Sequence, residues 1–329
     1  RVVHAAAVLP RIGAFNDFFL HEQPIGSFNP SQVVNLEVPA GQPITFNWYA
    51  NPPTDSRGNV VGSPVRSSRW GLDLTDVEDP RQGDPAGHSG HWTRWGPTTS
   101  ATVGAFGPGE THHLYIEANS DLCEGAEVLV GLLSLRLNTV QPTFDKDLLI
   151  VDDTRYLLDR VNAGTTCEHQ SNRPTGNWPT QAELDTFLYA RGGVPWRCYP
   201  PGSSSTPGVF NGYRFDTLGT NLRVDDLTIP LSTLVQYRHV IWLVDARGAL
   251  NDRPGSDPGS IGGPTTSLRY MNDNRRENTL AAYVRMGGKV WLAGGGAATA
   301  SMIEFNTQIN DNSLPIPHTL TFSNATNEL

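Results

Sequence analysis

The hydrophobic positions of the first 144 residues fall in short runs separated by turn residues, without a helical repeat. Four runs are rich in β-branched and aromatic residues: 33–38, 44–49, 113–118 and 127–137. Ile44, Phe46 and Trp48 alternate with polar neighbours, which is the pattern of a strand buried on one face. Short strands at this spacing predict an antiparallel β-sandwich over residues 1–144.

From residue 145 onward, strand-like and helix-like patterns alternate. Four consecutive apolar residues, Leu148 to Val151, predict a central strand buried on both faces. Further strands are predicted at 213–217, 239–245 and 289–293, with a short helix at 231–237. This alternation predicts a second domain, residues 145–329, built as an α/β layer around a parallel sheet.

Two longer helices are predicted from apolar stripes. In 180–191, three residues share one helical face and a glycine pair follows: Leu184, Phe187 and Leu188, then Gly192 and Gly193. In the other helix, four residues are predicted to face inward: Leu280, Ala281, Tyr283 and Val284. The pair Gly287 and Gly288 is predicted to end this helix, and 289–293 is predicted to be a buried strand that follows it.

Composition narrows the classes of partner. The chain of 329 residues has a formal net charge of -9, with no long charged runs, so nucleic acid is not an expected partner. No apolar run reaches the roughly 18 residues of a membrane-spanning helix. The chain opens at Arg1 without a methionine or a leader pattern and ends without a closing helix, so we expect a piece of a longer protein, truncated in its second domain.

The three cysteines are Cys123, Cys167 and Cys198, and none has the Cys-x-x-Cys spacing of a metal site. A Cys167–Cys198 disulfide is expected if the protein is secreted, whereas free buried thiols are the alternative.

Residues 79–97 are dense in Asp, Gly, His and Trp. His88 and His91 are candidates for a metal site, and Trp92 and Trp95 are candidates for stacking on a sugar ring. Both patterns have ordinary explanations, because loop histidines are commonly solvated and tryptophans beside a hairpin commonly pack on a core.

Loops at the carboxyl ends of parallel strands converge on one crevice. Six residues are expected there: Asp152, Asp153, Asp245, Gly294, Gly295 and Gly296. The two adjacent acids suit a divalent cation or acid–base chemistry, but the favoured explanation is that one carboxylate caps the following chain segment and the other meets solvent. The glycine turn suits close backbone approach to a phosphate, although it lacks the ending of a P-loop.

Asp252 and Asp257 are candidates for calcium in an extracellular setting, with spacing unlike an EF-hand. No other cofactor is expected.

The stretch 107–121, which reads Gly-Pro-Gly-Glu-Thr-His-His-Leu-Tyr-Ile-Glu-Ala-Asn-Ser-Asp after a Trp-x-x-Trp pair, resembles fibronectin type III and immunoglobulin-like modules of bacterial extracellular proteins. Such modules serve mostly as spacers and adhesion units. The resemblance therefore implies an extracellular or cell-surface location for the chain.

Residues 146–305 resemble class I glutamine amidotransferase-like, flavodoxin-like domains, through the segments 148–153, 237–243 and 280–294. Active members of that family place a cysteine in the tight turn after such a strand, and a histidine and an acid serve it. Here the corresponding turn is Gly294 to Ala297, and no cysteine follows Cys198. The resemblance therefore implies a degenerate domain without amidotransferase chemistry.

These observations favour a non-catalytic extracellular structural or assembly module whose partners are other protein chains or copies of itself. Two alternatives stay open. One is a metal-dependent hydrolase or transferase that uses Asp152 and Asp153, and the other is a carbohydrate-binding module that uses Trp92 and Trp95 to bind glycans.

Overall fold

The structure is a computed structural model of the chain. It describes residues 9–23, 32–55, 59–77, 90–121, 128–153, 213–220, 227–244, 266–272, 276–294 and 297. The chain divides into two compact units. The first comprises Arg1–Pro142 with Asn274–Glu277, and the second comprises Thr143–Asp273 with Asn278–Leu329.

The described residues of the first unit form two four-stranded sheets. Its strands are β1 (Arg11–Asn16), β2 (Phe19–Glu22), β3 (Val33–Pro39), β4 (Ile44–Asn51), β5 (Ser67–Leu72), β6 (Ser100–Val103), β7 (Thr111–Asp121) and β8 (Val128–Val140). One sheet has the order β2-β1-β4-β6 and the other has the order β3-β8-β7-β5. Strand β1 lies against β7 and β8, so the two sheets contact each other.

The core of the first unit follows from strand alternation. Ile44, Phe46 and Trp48 of β4 are buried, and the residues between them are not, as the sequence pattern predicts. Leu114 and Ile116 of β7 are fully buried in the facing sheet. The indole Nε1 of Trp48 donates to Ser68 Oγ at 3.0 Å, which satisfies a polar atom that would otherwise be buried without a partner.

The prediction of a purely antiparallel sandwich is wrong at one pair of strands. Strand β3 pairs with β8 in parallel, with Leu36 opposite Leu137, whereas the other pairs among the described strands of this unit are antiparallel. A parallel pair needs a long connection between its strands, which a reading of short local runs does not reveal.

The second unit contains a parallel sheet of four described strands. These are β9 (Lys146–Asp152), β10 (Phe215–Gly219), β11 (Tyr237–Leu243) and β12 (Lys289–Ala293), in the order β10-β9-β11-β12. Leu148 to Val151 of β9 are buried, as expected for a strand with a neighbour on each side. Strand β12 was predicted to be buried, but Trp291 in it is 57% exposed.

Three described helices lie in the second unit: α1 (Leu231–Leu234), α2 (Ser267–Met271) and α3 (Thr279–Arg285). The hydroxyl of Thr279 in α3 donates to the Ile229 carbonyl at 2.6 Å and contacts Met271 Sδ of α2 at 3.2 Å. Helices α1 and α3 also contact each other. The three helices therefore belong to one layer.

The inward face of α3 differs from the prediction in part. Leu280 and Tyr283 are fully buried as predicted, but Val284 is 43% exposed and Ala282 takes the buried position. The predicted helix end is confirmed. The Gly288 N–H donates to the Tyr283 carbonyl, the Gly287 N–H donates to the Val284 carbonyl, and Gly287 has φ 94°, which is a Schellman ending.

Candidate functional site

A buried carboxylate, Asp153, stands at the C-terminal edge of the parallel sheet, directly after β9. Its Oδ1 accepts hydrogen bonds from Thr220 Oγ1 at 2.5 Å and from the Ser267 N–H at 2.7 Å. Its Oδ2 accepts from Trp242 Nε1 at 2.9 Å and from the Leu268 N–H at 2.8 Å. The side chain is 0% exposed. One carboxylate thus joins the end of β10, strand β11 and the first turn of α2.

The four donors decide what Asp153 can do chemically. An ionised carboxylate offers about four acceptor positions, and here two donors occupy each oxygen. A metal ion at these oxygens would have to displace donors that are themselves in the interior, and each displaced donor costs about 1–3 kcal/mol. The arrangement instead compensates for the removal of the charge from water.

Asp152, the second acid of the predicted pair, is the last residue of β9 and is half-buried. Successive side chains of a strand point to opposite faces, so Asp152 and Asp153 lie on opposite faces of the sheet. The Asp152 carbonyl accepts the Thr220 N–H at 3.1 Å. Strand alternation therefore directs the two carboxylates to different sides of the strand end.

The other predicted crevice residues are only partly described. Asp152, Gly219, Leu243 and Ala293 occupy one row across the four strands, so the strand ends do meet at one edge. Gly294 follows this row directly. Asp245, Gly295 and Gly296 lie outside the described residues.

Gly294 has a structural reason to be glycine. Its φ is 117°, a conformation that other residues rarely adopt. A Cβ on this residue would also overlap the Val244 carbonyl oxygen. The Val244 N–H meanwhile donates to the Ala293 carbonyl at 2.9 Å, which extends the ladder between β11 and β12. Close approach of two chain segments therefore accounts for the first residue of the glycine turn.

The opposite, N-terminal edge of the sheet carries a second polar cluster, formed by Lys146, Asp216 and Tyr237. The Tyr237 hydroxyl donates to Asp216 Oδ2 at 2.7 Å, and Lys146 Nζ donates to the same oxygen at 3.0 Å. Lys146 also lies 3.1 Å from the Tyr237 hydroxyl. A cleft of about 260 Å³ beside the cluster is lined by its three members and by Arg214 and others.

The pKa values of this cluster move away from neutrality. Hydrogen bonds from Tyr237 and Lys146 lower the pKa of Asp216, and bonds with Tyr237 and Asp216 raise the pKa of Lys146. Burial, together with the hydrogen bond to Asp216, raises the pKa of Tyr237. A general acid or base works best with a pKa near the working pH. The cluster is therefore an ion pair with a protonated phenol, which suits structural use.

Trp92 and Trp95 are placed in the first unit around an arginine. The Arg69 guanidinium lies 4.4 Å from the ring centre of Trp92 and 4.6 Å from that of Trp95. Its Nε donates to Glu117 Oε2 at 2.6 Å in a buried ion pair. Trp92 is 1% exposed and its Nε1 donates to the Val77 carbonyl. The ring that was a candidate for sugar stacking is thus packed in the interior.

His112, near the start of β7, has hydrogen-bond partners at both ring nitrogens. Nδ1 lies 2.7 Å from Asp73 Oδ2 and Nε2 lies 3.2 Å from Glu110 Oε2, while the ring stacks on Phe106. Burial alone would lower the pKa of His112, but the hydrogen bonds and charges of Asp73 and Glu110 outweigh it and raise the pKa above 6.5.

The remaining predicted ligands are not brought together by the described part of the chain. His91 is half-buried, and no described group of three or more His, Cys, Asp or Glu side chains is arranged to hold a metal. The other candidates lie outside the described residues: His88, Cys167, Cys198, Asp252 and Asp257. Among the described helices, none is long and apolar enough to cross a membrane.

No protein-family model matches the chain, and no curated protein is significantly similar to it. The resemblances to fibronectin type III modules and to amidotransferase-like domains therefore stay predictions.

The residues that complete the Asp153 site were not predicted. Thr220, Trp242 and Ser267 lie 67, 89 and 114 positions away in the chain. One signal could have identified Trp242, but not Thr220 or Ser267. A tryptophan inside a strand of a parallel sheet needs an acceptor for its indole N–H when it is buried, and an acid at the neighbouring strand end is an acceptor that the sequence offers.

Proposed function

We propose that the chain is a non-catalytic structural module. In this proposal, the C-terminal edge of the parallel sheet holds the end of β10, strand β11 and helix α2 together instead of binding a ligand. The observation that carries this proposal is the use of Asp153. Its carboxylate lies where parallel sheets commonly bind ligands. Here both of its oxygens instead hold chain segments of the same unit together.

The strand arrangement of each unit supports a more specific form of this proposal. The strand order β10-β9-β11-β12 corresponds to 2-1-3-4 in chain order, which agrees with a flavodoxin-like sheet. The two facing sheets of the first unit agree with a β-sandwich of the fibronectin type III or immunoglobulin-like kind, apart from the parallel β3–β8 pair. We propose that the protein is extracellular and acts with other protein chains or with copies of itself.

The competing metal-dependent hydrolase or transferase predicts specific cation binding at the sheet edge. The test is thermal unfolding of the metal-stripped chain with Mg²⁺, Ca²⁺, Mn²⁺ or Zn²⁺ added in turn, since a ligand that binds only the folded state raises the melting temperature. The structural module predicts that the response of the second unit to each cation is the same in the native chain and in Asp152→Asn. A cation response that Asp152→Asn abolishes and the control Asp147→Asn retains would overturn the proposal.

The extracellular location has a separate test in the cysteines. Mass measurement of the chain from its natural source, with and without reductant, should show the loss of two hydrogen atoms that a Cys167–Cys198 disulfide causes. Three free thiols in the natural protein would count against secretion.

A further inference from the structure

One histidine of the first unit joins two chain segments through both nitrogens of its ring. His112 Nδ1 lies 2.7 Å from Asp73 Oδ2, and Nε2 lies 3.2 Å from Glu110 Oε2. Asp73 directly follows β5, and Glu110 ends the turn 107–110 that precedes β7. The imidazole therefore links the corner after β5 to this turn. We call these three side chains the His112 brace.

The chemistry of imidazole determines when both contacts can exist. An ionised carboxylate accepts hydrogen bonds and donates none, so each ring nitrogen needs a hydrogen to bond its carboxylate. A neutral imidazole has one N–H, whereas an imidazolium has two. The brace with both contacts is therefore the imidazolium form. Loss of one proton leaves a nitrogen lone pair facing a carboxylate, which is an unfavourable contact.

The surroundings of His112 are otherwise uncharged on its own side of the sheet. The ring stacks on Phe106 with ring centres 3.9 Å apart, and Leu137 of β8 is the residue opposite. The next pair on these strands, His113 and Arg136, points to the other face. Among the described residues, the two carboxylates of the brace are the charged groups that act on His112. Its side chain is 20% exposed, so its proton can exchange with water.

The two carboxylates differ in how firmly the chain holds them. The backbone of β7 fixes Asp73, because its Oδ1 accepts the His113 N–H at 2.7 Å and its own N–H donates to the His113 carbonyl at 2.8 Å. Glu110 Oε2 accepts the Gly107 N–H at 2.6 Å, which is a bond within its own turn. The shorter bond, to the more firmly held carboxylate, is the one that a neutral ring keeps. Its single hydrogen then belongs on Nδ1.

We propose that the His112 brace is a pH-sensitive switch, in which the imidazolium holds both carboxylates and the neutral ring keeps Asp73 but releases the Glu110 side chain. The turn itself stays in place, because Thr139 Oγ1 donates to the Gly107 and Glu110 carbonyls at 2.6 and 3.0 Å. The three side chains of the brace have a net charge of -1 in the closed form and -2 after release. The switch therefore changes the charge at this surface and frees one carboxylate there.

The pKa shifts agree with this geometry. Burial lowers the pKa of His112, but the hydrogen bonds and charges of Asp73 and Glu110 outweigh burial and raise the pKa above 6.5. The hydrogen bond with His112, followed by the one from Gly107, lowers the pKa of Glu110. The brace is therefore closed between these two pKa values, and it opens as the pH rises through the raised pKa of His112. This inference concerns the first unit and is independent of the role proposed for Asp153.

The test is an NMR titration of the histidine rings in the isotope-labelled full chain, from about pH 5 to about pH 9. The ring nitrogen shifts report both the protonation state and the tautomer. We expect His112 to titrate above 6.5 and its neutral form to carry the hydrogen on Nδ1. The carboxyl carbon of Glu110 should shift in the same pH range. Titration of His112 at or below 6.5, or a neutral form protonated on Nε2, would overturn the inference.

Double-mutant cycles with His112→Ala provide the second measurement, by urea unfolding of the first unit. In the cycle with Glu110→Ala, coupling should change the unfolding equilibrium constant by about twofold to fivefold at about pH 6 and should vanish at about pH 9. The matched cycle with Asp73→Ala should keep its coupling at both pH values. A Glu110 coupling that is equal at the two pH values would contradict the switch. If a variant does not fold, the titration of the native chain still decides.

Discussion

Replacing Asp153 with asparagine tests how much its carboxylate contributes to the free energy of unfolding of the second unit. The amide keeps one oxygen and so retains two of the four hydrogen bonds. Its NH2 group then faces two donors that have lost their acceptor. Two lost hydrogen bonds to a charged acceptor, at about 1.5 kcal/mol each, give an expected loss of about 3 kcal/mol in the free energy of unfolding of the second unit.

The measurement must separate the two units, because a chain with two units need not unfold in one transition. Differential scanning calorimetry should show that Asp153→Asn lowers one transition and leaves the other in place. The matched control is Asp147→Asn in the same strand. The Asp147 side chain is 43% exposed and pairs with Arg214 at the surface, so its loss is expected to cost less than about 1 kcal/mol.

Hydrogen exchange gives a local check on the same prediction. The amides of Ser267 and Leu268 donate to the Asp153 carboxylate, so Asp153→Asn should accelerate exchange in the peptide that contains them. If Asp153→Asn lowered the free energy of unfolding no more than Asp147→Asn and left this exchange unchanged, the structural role of the Asp153 carboxylate would be refuted.

Three further predictions concern other sites. The raised pKa of His112 means that its stabilising effect is complete below 6.5 and is lost as the pH rises through the folded-state value. The melting-temperature difference between the native chain and His112→Gln should therefore shrink from about pH 6 to about pH 9, with a contribution of no more than about 1 kcal/mol; a difference that does not change with pH would refute this. Gly294→Ala should destabilise the second unit in urea unfolding by more than Gly287→Ala, which has a similarly positive φ but open space around it and should cost about 1 kcal/mol; equal costs would show that the Val244 contact is irrelevant. Arg69→Leu should cost the first unit about 3–5 kcal/mol in the same assay by stranding the Glu117 charge, and adding Glu117→Leu should restore part of that loss rather than increase it.

The parts of the fold that the sequence predicted are those in which each residue is explained by its chain neighbours. Strand β4 shows period-two burial, β9 is a short apolar run, and the end of α3 has glycines where a left-handed residue is needed. Each of these patterns is local, so no knowledge of the partner strand or helix was required.

The strands that were missed depend on distant partners. Strand β5 reads Ser-Ser-Arg-Trp-Gly-Leu, and a local reading does not expect its arginine to be buried. Arg69 is nonetheless only 9% exposed, because Glu117 neutralises it and the rings of Trp92 and Trp95 pack against its guanidinium. Strands β1, β2 and β6 were not predicted either, since they are short or contain small residues that give weak patterns.

The candidate site shows the same division between local and distant information. Sequence placed Asp152 and Asp153 at the end of a central strand, and the structure has them there. What it did not supply is the number of donors around each carboxylate, and that number determines their chemistry. An acid with open acceptor positions can bind a cation or move a proton, whereas one with two donors on each oxygen holds its neighbours in place. Asp153 is of the second kind, and three of its four donors come from residues whose backbone or indole N–H would otherwise be buried without a partner. The carboxylate and its donors stabilise one another, which is why the most suggestive acid in the sequence is best understood as part of the framework of the second unit.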